Sequence, residues 1–136
     1  MALAQFVATW SRDPSTKVGA VVVGAGDRRK IAFGYNGLPP GVEDTEERLN
    51  DRETRLALTV HAEANAIYNA TFDLTGATIY CVRMPCCECA KGIVSKRIAR
   101  VVYLVHPEYE GRWAQQVQFA KQIFEETGVE LCPIYG

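Results

Sequence analysis

From Thr78 onward, three short apolar runs, Thr78–Val82, Val101–Val105 and Val129–Ile134, are separated by stretches of helical character. Strands joined through helices run parallel, because a parallel return needs a crossover of about a dozen residues or more. Upstream, Val18–Val23 is apolar and β-branched, Gly24-Ala25-Gly26-Asp27 closes it, and Lys30–Tyr35 resumes extended character, which reads as a hairpin. Leu3, Phe6, Val7 and Trp10 recur at i, i+3, i+4 and i+7, the stripe of an amphipathic first helix, and Asp13-Pro14-Ser15 breaks it. Further helices are expected over Thr59–Ala70, from Pro85 through Lys96, and along the face Trp113, Val117, Ala120, Ile123 and Phe124, where Gly128 supplies a left-handed stop. Gly37 to about Asp51 is polar, with Pro39-Pro40-Gly41 and the acids Glu43, Asp44, Glu46 and Glu47, and reads as a loop or short helix. The expectation is an α/β chain: one domain over residues 1–136, with a mixed sheet of about five strands and helices on both faces.

Charge narrows the function classes. Fifteen Lys and Arg against sixteen Asp and Glu leave a net charge of −1, which fits poorly with a protein built to grip a polyanion. No run approaches the ~20 apolar residues of a membrane span, and Met1–Trp10 lacks the basic flank and cleavage site of a signal peptide. The five cysteines, three of them at Cys86, Cys87 and Cys89, suit a metal site in a reducing, cytoplasmic compartment better than a disulfide scaffold.

His61-Ala62-Glu63 stands where one helix begins and Pro85-Cys86-Cys87-Glu88-Cys89 where the next begins. His-x-Glu alone is a weak signal, and Cys-x-x-Cys alone also fits buried structural thiols or a redox pair. Together they are sharper, because the strand between them brings both helix starts to one edge of the sheet. Residues ~100° apart per step place His61 and Glu63 on nearly opposite sides of a helix, so an ion near both lies off the first turn. Cys86 and Cys89 share a face, whereas Cys87 points away and reads as a packed thiol. Two thiolates and an imidazole favour zinc, and three protein ligands leave a fourth position open, as in catalytic sites. Helix N-termini lower the thiol pKa values.

His-x-Glu…Pro-Cys-x-x-Cys resembles the signature of the zinc nucleobase deaminases, and the element order is similar to their three-layer α/β/α fold. The resemblance implies Zn²⁺ held by His61, Cys86 and Cys89. It makes Glu63 the catalytic acid/base, and has the N–H of Ala62 and carbonyls near Met84 and Pro85 read the pyrimidine edge. A four-ligand structural zinc knob is the competing reading, but His106, Cys81, Cys87 and Cys132 offer no second motif-spaced partner.

Ser11-Arg12-Asp13-Pro14-Ser15-Thr16-Lys17-Val18-Gly19-Ala20, Gly34-Tyr35-Asn36-Gly37-Leu38-Pro39 and His61–Ile67 resemble the deoxycytidylate deaminases, although Ala64 stands where that family more often has Leu. This implies hydrolysis of dCMP to dUMP and ammonia, supplying dTMP synthesis. It also implies activation by dCTP, inhibition by dTTP, Mg²⁺ with the triphosphate, and a hexamer. Arg12 and Lys17, with the hydroxyls of Ser11, Ser15 and Thr16, suit a phosphate, or else form a solvated turn. By the resemblance Asn36 contacts the deoxyribose, and Gly34, Tyr35, Asn36, Gly37 and Lys17 border the regulatory nucleotide; the same Asn-Gly is also a common turn. Tyr109, in the loop His106–Glu110, resembles the family's base-stacking aromatic, an exposed loop Tyr being the alternative, and His106 reads as a loop residue. Leu38–Val60 holds no Cys or His, so a single zinc per chain is expected where some relatives carry two. Competing functions are deamination of dCTP or of both nucleotides, tRNA adenosine editing, and a non-catalytic nucleotide-sensing zinc module.

Overall fold

A computed structural model describes residues 1–26 and 30–136, so the expected turn residue Asp27 lies outside the described residues. The hairpin forms from β1 (Gly19–Val23) and β2 (Ile31–Tyr35), antiparallel, with Gly19 opposite Tyr35 and Val23 opposite Ile31. Strands β3 (Thr78–Cys81), β4 (Arg100–Leu104) and β5 (Glu130–Ile134) follow, and the sheet order is β2-β1-β3-β4-β5. β1 is antiparallel to β3, and β3, β4 and β5 are mutually parallel, which gives the mixed five-stranded sheet that the hairpin-then-crossover pattern predicts.

Helices lie on both faces, unevenly. Helices α4 (Ala62–Asn69), α5 (Cys87–Ser95) and α7 (Ala114–Thr127) bury Ala62, Ala66, Ala90, Ile93, Ala120 and Phe124 against Ala20, Val22, Ile79, Cys81 and Val101. Phe124, Ile79 and Ile93 are wholly buried, each contributing about 2 kcal/mol of apolar transfer. The opposite face carries α1 (Ala2–Ala8), which packs Ala4 against Val21 and Val82. Here the expected buried stripe is corrected. Ala4, Val7 and Ala8 face the sheet, while Leu3, Phe6 and Trp10 are exposed. The close seating of α1 on the Cβ-less Gly19 selects the small residues: a methyl there would overlap Ala4 O and stand 2.7 Å from Ala8 N.

Several boundaries move for identifiable reasons. Residues 37–58 form two short helices, α2 (Glu46–Asn50), capped by the Thr45 side chain accepting from Arg48 N at 3.2 Å, and α3 (Arg52–Leu58). The expected helix from Thr59 starts at Ala62 instead, because Val60 is held extended in a bridge to Gly37. The segment read as a loop at His106–Glu110 is helix α6 (Pro107–Arg112), with Pro107 in its first turn, where a missing N–H costs nothing. Gly128 ends α7 at φ 74°, with Val129 N donating to Phe124 O, as its position predicts. No helix among the described residues is long and apolar enough to cross a membrane.

β2 meets α4 backbone to backbone. A Cβ on Gly34 would overlap Ala66 N and sit 2.7 Å from Ala62 O, so Gly34→Ala must push α4 off the sheet. The expected cost is about 2–3 kcal/mol, a Tm lowered by roughly 6–15 °C in thermal unfolding. Gly111→Ala, inside α6 with nothing within 4 Å of the added methyl, is expected to hold Tm or raise it by up to about 5 °C, because Ala favours a helix over Gly by about 0.5–1 kcal/mol.

Candidate active site

Two helix starts converge on one edge of the sheet. His61 is the N-cap of α4, with φ −68° and ψ 153°, and Cys86 is the N-cap of α5, with Cys89 in that helix's first turn. His61 therefore stands outside the helix. Its extended backbone frees it from the ~100° helical step that would set it opposite Glu63, and it swings toward the cysteines while Glu63 stays on the first turn of α4. His61 Nδ1 lies 3.4 Å from both Cys86 Sγ and Cys89 Sγ, and the three donor atoms lie within 4.8 Å of one another. Zn–S of ~2.3 Å and Zn–N of ~2.0–2.1 Å around a tetrahedron require N···S edges of about 3.6 Å. The donor set fits zinc in both chemistry and spacing.

Charge in this cluster is strongly shared. The Cys86 thiol is held down to about 4 by the hydrogen bond it receives from Cys89, against the opposing effect of burial. The Cys89 thiol is pushed far up by that same bond, by burial and by the nearby Glu63 carboxylate. The pair thus settles as one thiolate and one thiol, and a divalent cation is what allows both sulfurs to ionise. His61 is raised by its hydrogen bond with Cys86. Glu63 is only 5% exposed, accepts from Cys89 Sγ at 3.4 Å, and has its pKa raised by burial. A buried carboxyl with a raised pKa, beside a metal donor set, is suited to carrying a proton in both directions.

Of these residues His61, Glu63 and Cys86 line a cavity of about 580 Å³ that Asn36, Ala62, Met84 and Tyr109 also line, while Cys89 is buried beside it. Pro85 is fully buried beside it. Tyr109 reaches the cavity from α6, with the Arg83 guanidinium 4.9 Å above its ring, and burial pushes its phenol up to about 12. Asn36 is a brace as well as a wall: Oδ1 accepts from Val18 N at 2.8 Å and Nδ2 donates to Thr16 O at 2.9 Å. Ser11 is committed to the same brace, donating to Asn36 O at 2.8 Å. His106 Nε2 donates to Val82 O at 2.9 Å and lies outside the donor cluster.

The phosphate candidates separate. Ser15 and Thr16 line the main cavity. Arg12 does not: it pairs with Asp44 at 2.8 Å and lines a smaller cavity of about 130 Å³ with Tyr35, Asn36 and Gly37. Lys17 is exposed and lines neither cavity, and the α-carbon of Gly34 faces α4 instead of a ligand. The cations that do line the main cavity are Arg52, Arg55, Arg83 and Arg112, none of which stood out in the sequence. Arg52 and Arg55 lie on α3, between the polar stretch that ends near Asp51 and the helix expected from Thr59, and Arg112 lies on α6 just past the segment read as a loop; Arg83, three residues before Cys86, could have been found by its proximity to the motif. Arg55 is 3.7 Å from Asp13, whose other oxygen accepts from Ser15 N and Thr16 N. Arg52, Arg83 and Arg112 make no ion pair among the described residues.

Removing one sulfur should empty the site. Cys86→Ala is expected to retain less than a tenth of the wild-type zinc by metal analysis and to unfold at a lower temperature. Chelation of the wild type should lower Tm in the same direction, since an ion bound only by the folded state stabilises it.

Comparison with known proteins agrees with this geometry. Residues 1–105 match the family model of the cytidine and deoxycytidylate deaminase zinc-binding region. An uncharacterized deaminase of the luxG 3′ region of Aliivibrio fischeri is 38% identical over 130 residues, covering 95% of this chain and 86% of that protein. The deoxycytidylate deaminase of Homo sapiens is 33% identical over 137 residues, covering 95% and 74%. The crystal structure of the dCMP deaminase of cyanophage S-TIM5 superposes with a TM-score of 0.73 at 25% identity, covering 98% of this chain and 92% of that one. A His/Cys/Cys donor set beside a buried glutamate, on the fold these relatives share, places the chain in the zinc-dependent cytidine and deoxycytidylate deaminase family.

Proposed function

We propose that this chain, one domain over residues 1–136, is a deoxycytidylate deaminase that hydrolyses dCMP to dUMP and ammonia. The observation that carries the reading is the donor set His61, Cys86 and Cys89 beside buried Glu63, opening through His61, Glu63 and Cys86 into a cavity that Arg52, Arg83 and Arg112 also line. Zinc held by those three residues supplies, when bound, Lewis acidity that lowers the pKa of water to about 7. Glu63 takes a proton from the attacking water and delivers it to N3 of the base as the C4–O bond forms. Glu63 then carries the water's second proton to the amino group, which leaves as ammonia as the C4–N bond breaks. The Ala62 N–H and the carbonyls of Met84 and Pro85 read the pyrimidine edge, the Tyr109 ring packs on the base, and Asn36 meets the deoxyribose.

For the phosphate, Arg83 and Arg112 replace Arg12 and Lys17 in this reading. Both line the catalytic cavity, and an unpaired guanidinium matches a phosphate's geometry with two parallel donors. The regulatory part of the proposal follows the resemblance at Gly34–Pro39: dCTP as activator and dTTP as inhibitor, with Mg²⁺, bordered by Tyr35, Asn36 and Gly37, in a hexamer. A reducing, cytoplasmic setting completes it, in keeping with five free thiols.

Ammonia release from dCMP, dCTP, deoxycytidine and adenosine substrates tests the reading. The expected order puts dCMP at least ~100-fold above deoxycytidine in kcat/KM, and adding dCTP or dTTP to the same assay reads regulation. Equal turnover of dCTP would make the enzyme dual, and zinc-loaded protein inert toward every substrate would sink the catalytic reading. Glu63→Ala should keep one zinc per chain and lose about 10³–10⁴-fold in kcat. Arg83→Met should raise KM for dCMP by at least ~10-fold while leaving deoxycytidine turnover unchanged within about 2-fold.

A further inference from the structure

Helix α6 brings Tyr109 to the catalytic cavity, yet no residue of this helix is buried. Tyr109 packs against the core from outside, and polar ties hold the start of the helix. His106, the N-cap, supplies two of them: its Nε2 donates to Val82 O at 2.9 Å, and its backbone N donates to Glu110 Oε2 at 3.0 Å. Val82 follows the last residue of β3 and precedes Arg83, whose guanidinium lies 4.9 Å from the centre of the Tyr109 ring. These contacts close a ring. It runs from Val82 to Arg83 along the chain, from Arg83 to Tyr109 through space, from Tyr109 to His106 along α6, and from His106 back to Val82 through the imidazole. His106 lines the cavity but stands outside the metal donor cluster.

We propose that His106 is a positioning residue for the base: by gripping Val82 it sets the angle at which α6 presents the Tyr109 ring to the pyrimidine. The inference rests on the reading that Tyr109 packs on the base. The imidazole makes no capping bond to its own helix, so its bond to Val82 serves the joint between two elements. A carbonyl only accepts, which places a proton on Nε2 and makes His106 the donor. The contact between Arg83 and Tyr109 joins two side chains that each turn about their own bonds, and by itself leaves the helix free to tilt. The His106 bond ends on main chain where β3 leaves the sheet, a rigid support. Met84 and Pro85, which read the edge of the base, follow Val82 by two and three residues. One bond thus registers the edge-reading segment against the ring that packs on the base's face. Aromatic packing favours particular offsets and tilts, and a ring held in place beforehand gives up less freedom when ligand binds.

The test uses the zinc-loaded full chain and looks for an effect on KM, because packing on the base is equal in the ground and transition states. His106→Ala should raise KM roughly 5–10-fold for dCMP and deoxycytidine alike, with kcat within about 2-fold of wild type. The dissociation constant of dUMP, read by titration calorimetry, should rise by the same factor. His106→Gln, whose amide nitrogen reaches the place of Nε2, should return both values to within about 2-fold of wild type. His106→Asn, whose amide stops short, should behave as Ala does, and this pair carries the test if His106→Ala does not fold. On a Tyr109→Ala background, His106→Ala should add no more than about 2-fold, because the ring it positions is gone. A Tyr109→Ala enzyme that binds like wild type removes the base-packing reading and this inference together. Weakened binding in Tyr109→Ala beside unchanged binding in His106→Ala overturns the inference alone. So do a Gln variant no better than Asn, effects at the two positions that multiply in full, or zinc lost from the His106 variants.

Discussion

The site depends on how closely α4 lies against the hairpin. Gly34 has no Cβ, and the backbone of Ala62, Asn65 and Ala66 occupies the space one would take. That approach fixes the height of the α4 N-terminus above the sheet, and with it the N-cap His61 and the first-turn Glu63. α5 receives its position separately, from β3 and β4, the parallel pair that its crossover joins. Because both helices begin at the same sheet edge, an imidazole and two sulfurs from residues 25–28 positions apart in the chain meet within 4.8 Å. An error of an ångström in either seating would open the donor set beyond the reach of one ion.

Burial then does two kinds of chemical work in the same few ångströms. It raises the pKa of Glu63, and together with the Cys86–Cys89 hydrogen bond, the larger cause, it makes a second thiolate costly without a cation. Polar residues at the cavity wall are held by their own bonds. Asn36 ties the start of β1 to the end of β2, while Asp13, beside Arg55, orders the backbone of Ser15 and Thr16. Such restraint keeps a binding surface in shape before ligand arrives.

The two faces of the sheet divide the labour unevenly. Three helices cover the face whose edge carries the donor set, and their large apolar residues fill the core. On the other face, Gly19 draws α1 in so tightly that only alanines and Val7 fit beneath it, and the bulky residues of the same helix turn outward onto Phe33 and Tyr35. Tight seating on one side of α1 thus creates the exposed aromatic surface on its other side.

Much of this was legible in the residues themselves. The spacing of apolar runs determined a hairpin followed by parallel crossovers, Gly128 determined where α7 stops, and the types and intervals of His61, Glu63, Cys86 and Cys89 pointed to one ion beside one carboxyl. These are local properties: periodicity, turn chemistry and donor type act within a few residues. Which side of α1 is buried, that Pro107 opens a helix, that Arg12 turns to Asp44, and that Arg83, Arg112 and Arg52 gather over the catalytic floor were decided by the tertiary structure. Periodicity tells which side chains share a face, but not what that face will meet. Long arginines on surface segments acquire a common target only when the packing of distant elements sets where those segments lie.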